Sequence, residues 1–96
     1  METSEIKQIV KENFEERYDK ADYKLICVGV DENIKHLSYM VVKNKEPFVW
    51  FNVSTTSIYQ ATSTELLSNP YEVRDWYYFI TNVEQALKEV WRRENA

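Results

Sequence analysis

A thiol and an imidazole form the one pair of side chains in this sequence that could do covalent chemistry. The chain has one cysteine and one histidine, Cys27 and His36, and a thiol becomes a nucleophile when an imidazole lies within hydrogen-bonding distance. The strand pattern described below places these side chains diagonally across neighbouring strands, about 7–8 Å apart. Because that distance is too long for a direct hydrogen bond, we predict an ordinary strand cysteine, no catalytic residue and no enzyme.

Metal binding and acid–base catalysis have no better support. A structural zinc site takes four ligands, which one histidine and one cysteine of a single chain cannot supply. Glu12, Glu16 and Asp19 share one side of a predicted helix, but Lys11 and Arg17 lie among them, as on an ordinary solvated helix face. We therefore predict no metal and no cofactor.

The net charge restricts the class of partner. Sixteen acidic and twelve basic side chains give a formal charge of -4, whereas a nucleic-acid-binding surface is positive. A mimic of nucleic acid would carry long acidic runs, and here the acids are scattered. We expect no nucleic-acid partner.

Cysteine usage and hydropathy indicate the compartment. With one cysteine no internal disulfide can form, and no apolar run approaches the length of about 20 residues that spans a membrane. The first residues are acidic, where a secretory signal would be basic and then apolar. We expect a cytoplasmic, unprocessed protein without membrane contact.

The elements that position these residues follow from periodicity. Ninety-six residues, 44% of them hydrophobic, suffice for one core, so we expect a single domain over 1–96. Thr3 or Ser4 caps a first helix that runs to about residue 20. Segments 23–30, 34–43 and 48–54, rich in β-branched and aromatic residues, predict an antiparallel meander.

The second half of the chain predicts one more strand and two helices. Residues 57–62 form a short fourth strand, and Thr62 with Glu65 resembles a capping box before one helical turn. Asn69 caps the last helix, Pro70 occupies its first position, and an apolar stripe continues to about residue 93. The predicted fold is α+β, a two-layer sandwich of an N-terminal helix, a meander of three or four strands, a short helical turn and a long amphipathic C-terminal helix.

Both faces of the predicted sheet carry apolar residues. A two-residue connection at residues 32–33 and an even count at the next one predict a core face of Ile26, Val28, Val30, Leu37, Tyr39, Val41, Phe48 and Trp50. The second face is too apolar for a solvated one, so either the first helix or another molecule covers it. We assign His36, Ser38 and Phe51 on that face to a partner-binding surface.

The last helix also carries more aromatic residues than one core can take up. Residues 76–79 are all aromatic and spread over about 300° of the helix circumference. The stripe includes Tyr77, with Phe79 at its margin. Tyr78 and Tyr71 lie on the outward side, with Arg74 between them. Tyrosine and arginine are common in binding hot spots. We predict a partner-binding cluster of Tyr71, Arg74 and Tyr78, unless the tyrosines pack beneath another element.

The leading hypothesis is therefore a small non-enzymatic interaction protein, a bacterial or phage regulator or inhibitor that binds a protein partner or forms a homodimer. The alternative is a small-molecule-binding module with an aromatic-lined pocket between sheet and helix. Trp50, Tyr59 and Trp76 are its candidate lining residues, since such pockets are mostly apolar.

Overall fold

The computed structural model describes the backbone of residues 1–62 and 64–96 and the side chains of residues 1–60 and 66–96. Its elements follow in the order α1 (Thr3–Arg17), β1 (Tyr23–Asp31), β2 (His36–Lys43), β3 (Glu46–Val53), β4 (Ile58–Thr62), α2 (Thr64–Ser68) and α3 (Pro70–Glu94). The strands form one antiparallel sheet in the order β1-β2-β3-β4. The predicted α+β fold is confirmed, with the fourth strand present.

The ends of the helices follow local chemistry. Asn69 accepts hydrogen bonds through its side chain from the backbone N–H groups of Tyr71 and Glu72, at 3.0 and 3.3 Å, so the predicted cap of α3 is correct. The predicted cap of α1, Thr3 or Ser4, is one or two residues late, because the N-cap is Glu2. The predicted capping box of Thr62 and Glu65 lies outside the described side chains.

The helix α1 ends earlier than its pattern predicts. Its last residue is Arg17, whereas the spacing of apolar residues predicts a helix to about residue 20. Asp19 draws the chain into a turn, since its side chain accepts a hydrogen bond from the Ala21 amide at 2.8 Å and its carbonyl accepts one from Asp22 at 3.1 Å. Aspartate commonly makes this local bond to its own backbone.

Both long helices pack on the same face of the sheet. The Phe14 ring of α1 meets the Phe79 ring of α3 at a centroid distance of 5.8 Å, and Phe79 meets Phe51 of β3 at 5.7 Å. These rings belong to one core, whose buried members are Ile6, Val10, Phe14, Tyr18, Leu37, Tyr39, Val41, Phe48, Val49, Phe51, Val53, Leu66, Trp76, Phe79, Val83 and Leu87. The other face of the sheet is not covered by either long helix.

A β-bulge in β1 changes its register. Cys27 lies opposite Tyr39 of β2, yet Gly29 lies opposite Ser38, the adjacent residue of the partner strand. Val28 is therefore an extra residue. Side chains alternate along a strand, so one extra residue exchanges the faces of all that follow.

A second bulge lies in β3. Pro47 pairs with Val42 and Val49 pairs with Val41, which leaves Phe48 as the extra residue. Phe48 and its neighbour Val49 are both buried. The tight turn before this strand has the expected polar residues, and its bulge was not anticipated.

The two bulges overturn part of the predicted division of faces. Ile26, Val28 and Trp50 were expected in the core and are exposed. Val30 is also exposed, although it lies opposite the buried Leu37 as predicted. Phe51, expected on the second face as a partner-binding residue, is 1% exposed. Its assignment to a surface is wrong, because the extra residue in β3 turns its side chain into the core.

Candidate functional site

The sheet presents a cross-strand row of apolar side chains on the face away from the helices. Ile26 of β1 lies opposite Met40 of β2, which lies opposite Trp50 of β3. Ile26 is 38% and Trp50 48% exposed, and Met40 is half-buried. Directly paired residues contact each other through their side chains, so the row forms a continuous apolar band across three strands.

Further residues extend this band to both sides. Val42 lies next along β2 on the same face, and Tyr59 of β4, 64% exposed, faces the same way opposite Asn52. We call the surface formed by Ile26, Met40, Val42, Trp50 and Tyr59 the open face. Charged side chains lie at its ends: Lys24 opposite Val42 at one end, and Asp31 opposite His36 at the other. The centre of the open face is therefore apolar and its margin polar.

Two of the residues predicted for a partner surface lie on this side of the sheet. His36 and Ser38 are half-buried, and their register places them on the side of the sheet that carries Met40. Trp50, the largest exposed side chain here, was missed because sequence reasoning placed it in the core. The one available signal was the adjacent pair Phe48-Val49, two apolar residues where strict alternation would bury only one.

Cys27 and His36 do not form a catalytic pair. Cys27 lies opposite Tyr39, whereas His36 lies opposite Asp31 at the far end of β2, and their side chains point to different faces of the sheet. The exposed thiol contacts the Gly29 carbonyl at 3.6 Å. Within the described part of the chain, no group of three or more potential ligands could hold a metal ion.

The predicted cluster on α3 is exposed but partly occupied by its own neighbours. Tyr71 is 70% exposed, and the Arg74 guanidinium lies 5.4 Å from the centre of its ring. Tyr78 is 46% exposed and stacks under Arg17 of α1, at 5.0 Å. Asp75 lies within 3.9 Å of Arg17 and 3.6 Å of Arg74. Both arginines thus already have intramolecular partners.

The assignment of the neighbouring aromatic residues needs correction. Tyr77, expected in the buried stripe, is 64% exposed, and Phe79, expected at the margin, is 1% exposed. The buried line of α3 is centred on Trp76, Phe79 and Val83. The contact with α1 rotates the helix in this direction, because the Phe14 and Tyr18 rings pack directly against Phe79.

A half-buried polar cluster joins the start of α3 to the sheet. The Tyr23 hydroxyl donates a hydrogen bond to Glu72 at 2.7 Å, and the Lys43 ammonium lies 2.8 Å from the same carboxylate. Burial, followed by this hydrogen bond, raises the pKa of Tyr23 to about 12. Because each group contacts the others closely, we interpret this as a structural link between layers.

The predicted aromatic pocket is not formed. Trp50 and Tyr59 lie on the open face, whereas Trp76 is buried on the opposite side of the sheet and donates a hydrogen bond to the Gln60 side chain. A different concavity, of about 570 Å³, lies between α1 and β1. A pocket between a helix and the sheet was predicted, but the residues that line this concavity differ from the predicted ones.

Comparisons with known proteins identify no relative. No family model, no curated protein and no solved structure matches this chain. Across the described residues, no helix combines the length and apolar character needed to cross a membrane. A functional proposal must therefore be based on the surfaces themselves.

Proposed function

We propose that this protein is a non-enzymatic interaction module that forms a homodimer through its open face. The observation that supports this most strongly is the apolar row of Ile26, Met40 and Trp50, exposed on the face that neither long helix covers. Large apolar surface patches on soluble proteins commonly mark sites of association. Packing a second sheet on this row would remove it from water.

The distribution of residue types on the open face resembles that of a protein interface. Trp50 and Met40 lie on the two inner strands, so they occupy the middle of the surface. Tryptophan is frequent among the residues that dominate binding energy, and it acts best when surrounding groups exclude water. Polar residues such as Ser38 and Asn52 adjoin the row, as in the rim of an interface.

The size of the open face suits a small dimer. Four strands of nine, eight, eight and five residues, about 4.8 Å apart and rising about 3.3 Å per residue, cover roughly 480 Å². Two such faces in contact bury on the order of 1,000 Å², near the lower limit of specific interfaces. We therefore propose a dimer of modest affinity, and not an obligate one.

The distribution of charge favours a second copy as the occupant. The chain has a formal charge of -4, so two copies repel unless they meet through surfaces without like charges. The centre of the open face supplies such a surface, since Lys24 and Asp31 lie at opposite ends of β1. A highly charged partner would find no complementary group there. We also propose the cytoplasm as the location, because one cysteine allows no internal disulfide.

Sedimentation velocity over concentrations from about 10 µM to about 1 mM tests the proposal, because a modest dimer dissociates within this range. We expect a concentration-dependent dimer for the wild-type chain and a monomer for Trp50→Lys, since the substitution buries a charge at the centre of the interface. Tyr77→Lys is the matched control, with an aromatic residue replaced on the helical side. It should dimerise like the wild type.

Two results would refute the proposal. One is a monomer at every concentration. The other is a dimer that survives Trp50→Lys but is lost in Tyr77→Lys, which would place self-association on the helical side of the molecule. Circular dichroism of each variant verifies that the fold is retained.

A further inference from the structure

A second surface runs along the outer edge of β1 and shares only Ile26 and Lys24 with the open face and its margin. The concavity of about 570 Å³ between α1 and β1 is lined by the consecutive residues from Tyr23 to Cys27. Consecutive side chains of a strand point to opposite faces. They can all line one concavity only if it follows the edge of the strand, so the backbone of β1 forms one of its walls. We call this concavity the edge groove.

The strand edge in this groove is regular and lacks a neighbour. Among the strands that the structure describes, β1 is the first of the sheet and pairs only with β2. From Tyr23 to Cys27 its register on β2 is continuous, and the bulge begins beyond Cys27. In an edge strand, alternate N–H and C=O groups point away from the sheet and can pair with another chain. Five regular residues offer about 17 Å of such an edge.

The rim of the edge groove is positive although the whole chain is negative. Its lining includes four lysines, Lys7, Lys11, Lys20 and Lys24, and one acid, Glu15. Lys20 lies 3.8 Å from Glu15. The other three lysines are exposed and form no ion pair with any residue the structure describes. A local cluster of uncompensated ammonium groups attracts an anionic partner.

The floor of the groove is apolar. Phe14 of α1 lines it together with Leu25 and Tyr39 from the covered side of the sheet. A segment lying in the groove would therefore contact apolar side chains towards α1 and ammonium groups along the rim. An extended chain that carries both apolar and acidic residues matches this arrangement, because its apolar side chains can contact the floor while its carboxylates meet the ammonium groups of the rim.

We propose that the edge groove binds an extended acidic segment of a partner protein, which adds to β1 as a fifth strand. In this mode of recognition the backbone hydrogen bonds provide affinity, and the flanking side chains provide specificity. A second copy of β1 is a poor occupant, because it would bring one lysine-rimmed groove against another. The proposal does not depend on dimerisation, since the added strand pairs with the backbone edge of β1, whereas the proposed dimer is centred on Met40 and Trp50 of the inner strands.

Fluorescence anisotropy with a synthetic peptide tests this proposal. The probe is an end-blocked, labelled peptide of about ten alternating valine and glutamate residues, enough to span the free edge of β1. We expect it to bind at low salt, while the matching valine–lysine peptide does not. Lys7→Glu/Lys11→Glu should weaken binding by at least about tenfold, since the rim charges reverse. Lys88→Glu/Arg92→Glu makes the same change in net charge on α3 and should have little effect.

A modified peptide tests whether a strand is added. N-methylation of alternate residues removes the N–H groups that would pair with β1, so binding should be lost while charge and apolar character remain. Amide hydrogen exchange should slow within Tyr23–Cys27 when the unmodified peptide binds. Trp50→Lys, which removes the proposed dimer, should bind the peptide as the wild type does.

The proposal is overturned if the valine–glutamate peptide does not bind, or if the N-methylated peptide binds equally well. Displacement of the peptide by dodecanoate together with retained binding of the N-methylated peptide would assign the groove to anionic amphiphiles. Slowed exchange in β2 and β3 without any change in β1 would place the peptide elsewhere on the sheet and would also overturn it.

Discussion

The hydroxyl group of Tyr18 lacks a partner within the core. Its ring packs against Phe14 and Tyr23 at centroid distances of 4.9 and 4.8 Å. Among the described side chains, its oxygen is the one buried polar atom without a hydrogen bond. Burial also raises the pKa of Tyr18 above its ordinary value, which means that the site disfavours the charged form.

Tyr18→Phe should therefore stabilise the protein. The substitution keeps the aromatic contacts and removes a hydroxyl whose desolvation is not compensated, so we expect the free energy of unfolding to rise by about 1 kcal/mol. Urea denaturation measures this directly. Tyr39→Phe, at another buried tyrosine, serves for comparison. A loss of stability in Tyr18→Phe would show that the hydroxyl has a favourable partner.

Single residues also show where sequence reasoning reached its limit. His36 and Ser38 were placed on the correct side of the sheet, and Tyr71 on the outward side of α3. The predicted faces of Trp50 and Phe51 were the reverse of those observed. Seven of the eight residues of β3 are uncharged and most are apolar, so their types do not reveal which side chains alternate inwards. The bulge at Phe48 determines which face of the sheet each of these side chains occupies.

At the scale of elements, the turn between β2 and β3 carries backbone strain. Asn44 and Lys45 have positive φ angles of 49° and 69°, and they are the two residues between the paired ends Lys43 and Glu46. A two-residue hairpin turn needs this left-handed geometry, which asparagine tolerates and lysine does not favour.

Lys45→Gly should relieve this strain. Glycine adopts positive φ without a steric cost, so we expect a gain of about 1 kcal/mol in unfolding free energy, partly offset by the greater freedom of glycine in the unfolded chain. Lys45→Ala removes the same charge but keeps the strain, and should leave stability nearly unchanged. Thermal unfolding followed by circular dichroism compares the variants. Equal effects of Gly and Ala would mean that the backbone is not the cause.

The order and type of the elements could be predicted because their signals are local. The cap at Asn69, the proline after it and the periodic stripe of α3 lie within one segment, as do the β-rich runs of the meander. The position of α1, in contrast, is not determined by a local signal. Its apolar residues allow it to cover either face, and the choice depends on Phe14 and Tyr18 fitting against Phe79 of α3.

At the scale of the whole molecule, the two faces of the sheet are covered unequally. Both long helices lie on one face of the sheet, where Leu37, Val41 and Phe51 are buried. The opposite face keeps the row of Ile26, Met40 and Trp50 open to solvent. Sequence analysis required a cover for the second face, either α1 or another molecule. Because α1 lies on the first face, the expectation that it covers the second face is wrong, and our proposal assigns this cover to a second copy of the chain.

The surfaces of the molecule also differ in charge. The open face is apolar at its centre, and the tyrosines of α3 share their arginines with Asp75. The edge groove carries Lys7 and Lys11, which pair with no acid among the described residues. The proposed dimer surface is centred on the inner strands and the proposed strand-binding surface on the edge of β1. Composition alone could not separate them, because the net charge of -4 averages over all three.

Isotope-filtered NMR on a mixture of labelled and unlabelled chains tests the central proposal most directly. At concentrations near about 1 mM, where a dimer of modest affinity is populated, we expect intermolecular contacts between the Met40 or Ile26 methyl groups and the Trp50 ring. No such contacts, or intermolecular contacts confined to Tyr71 and Tyr77 on α3, would contradict dimerisation through the open face.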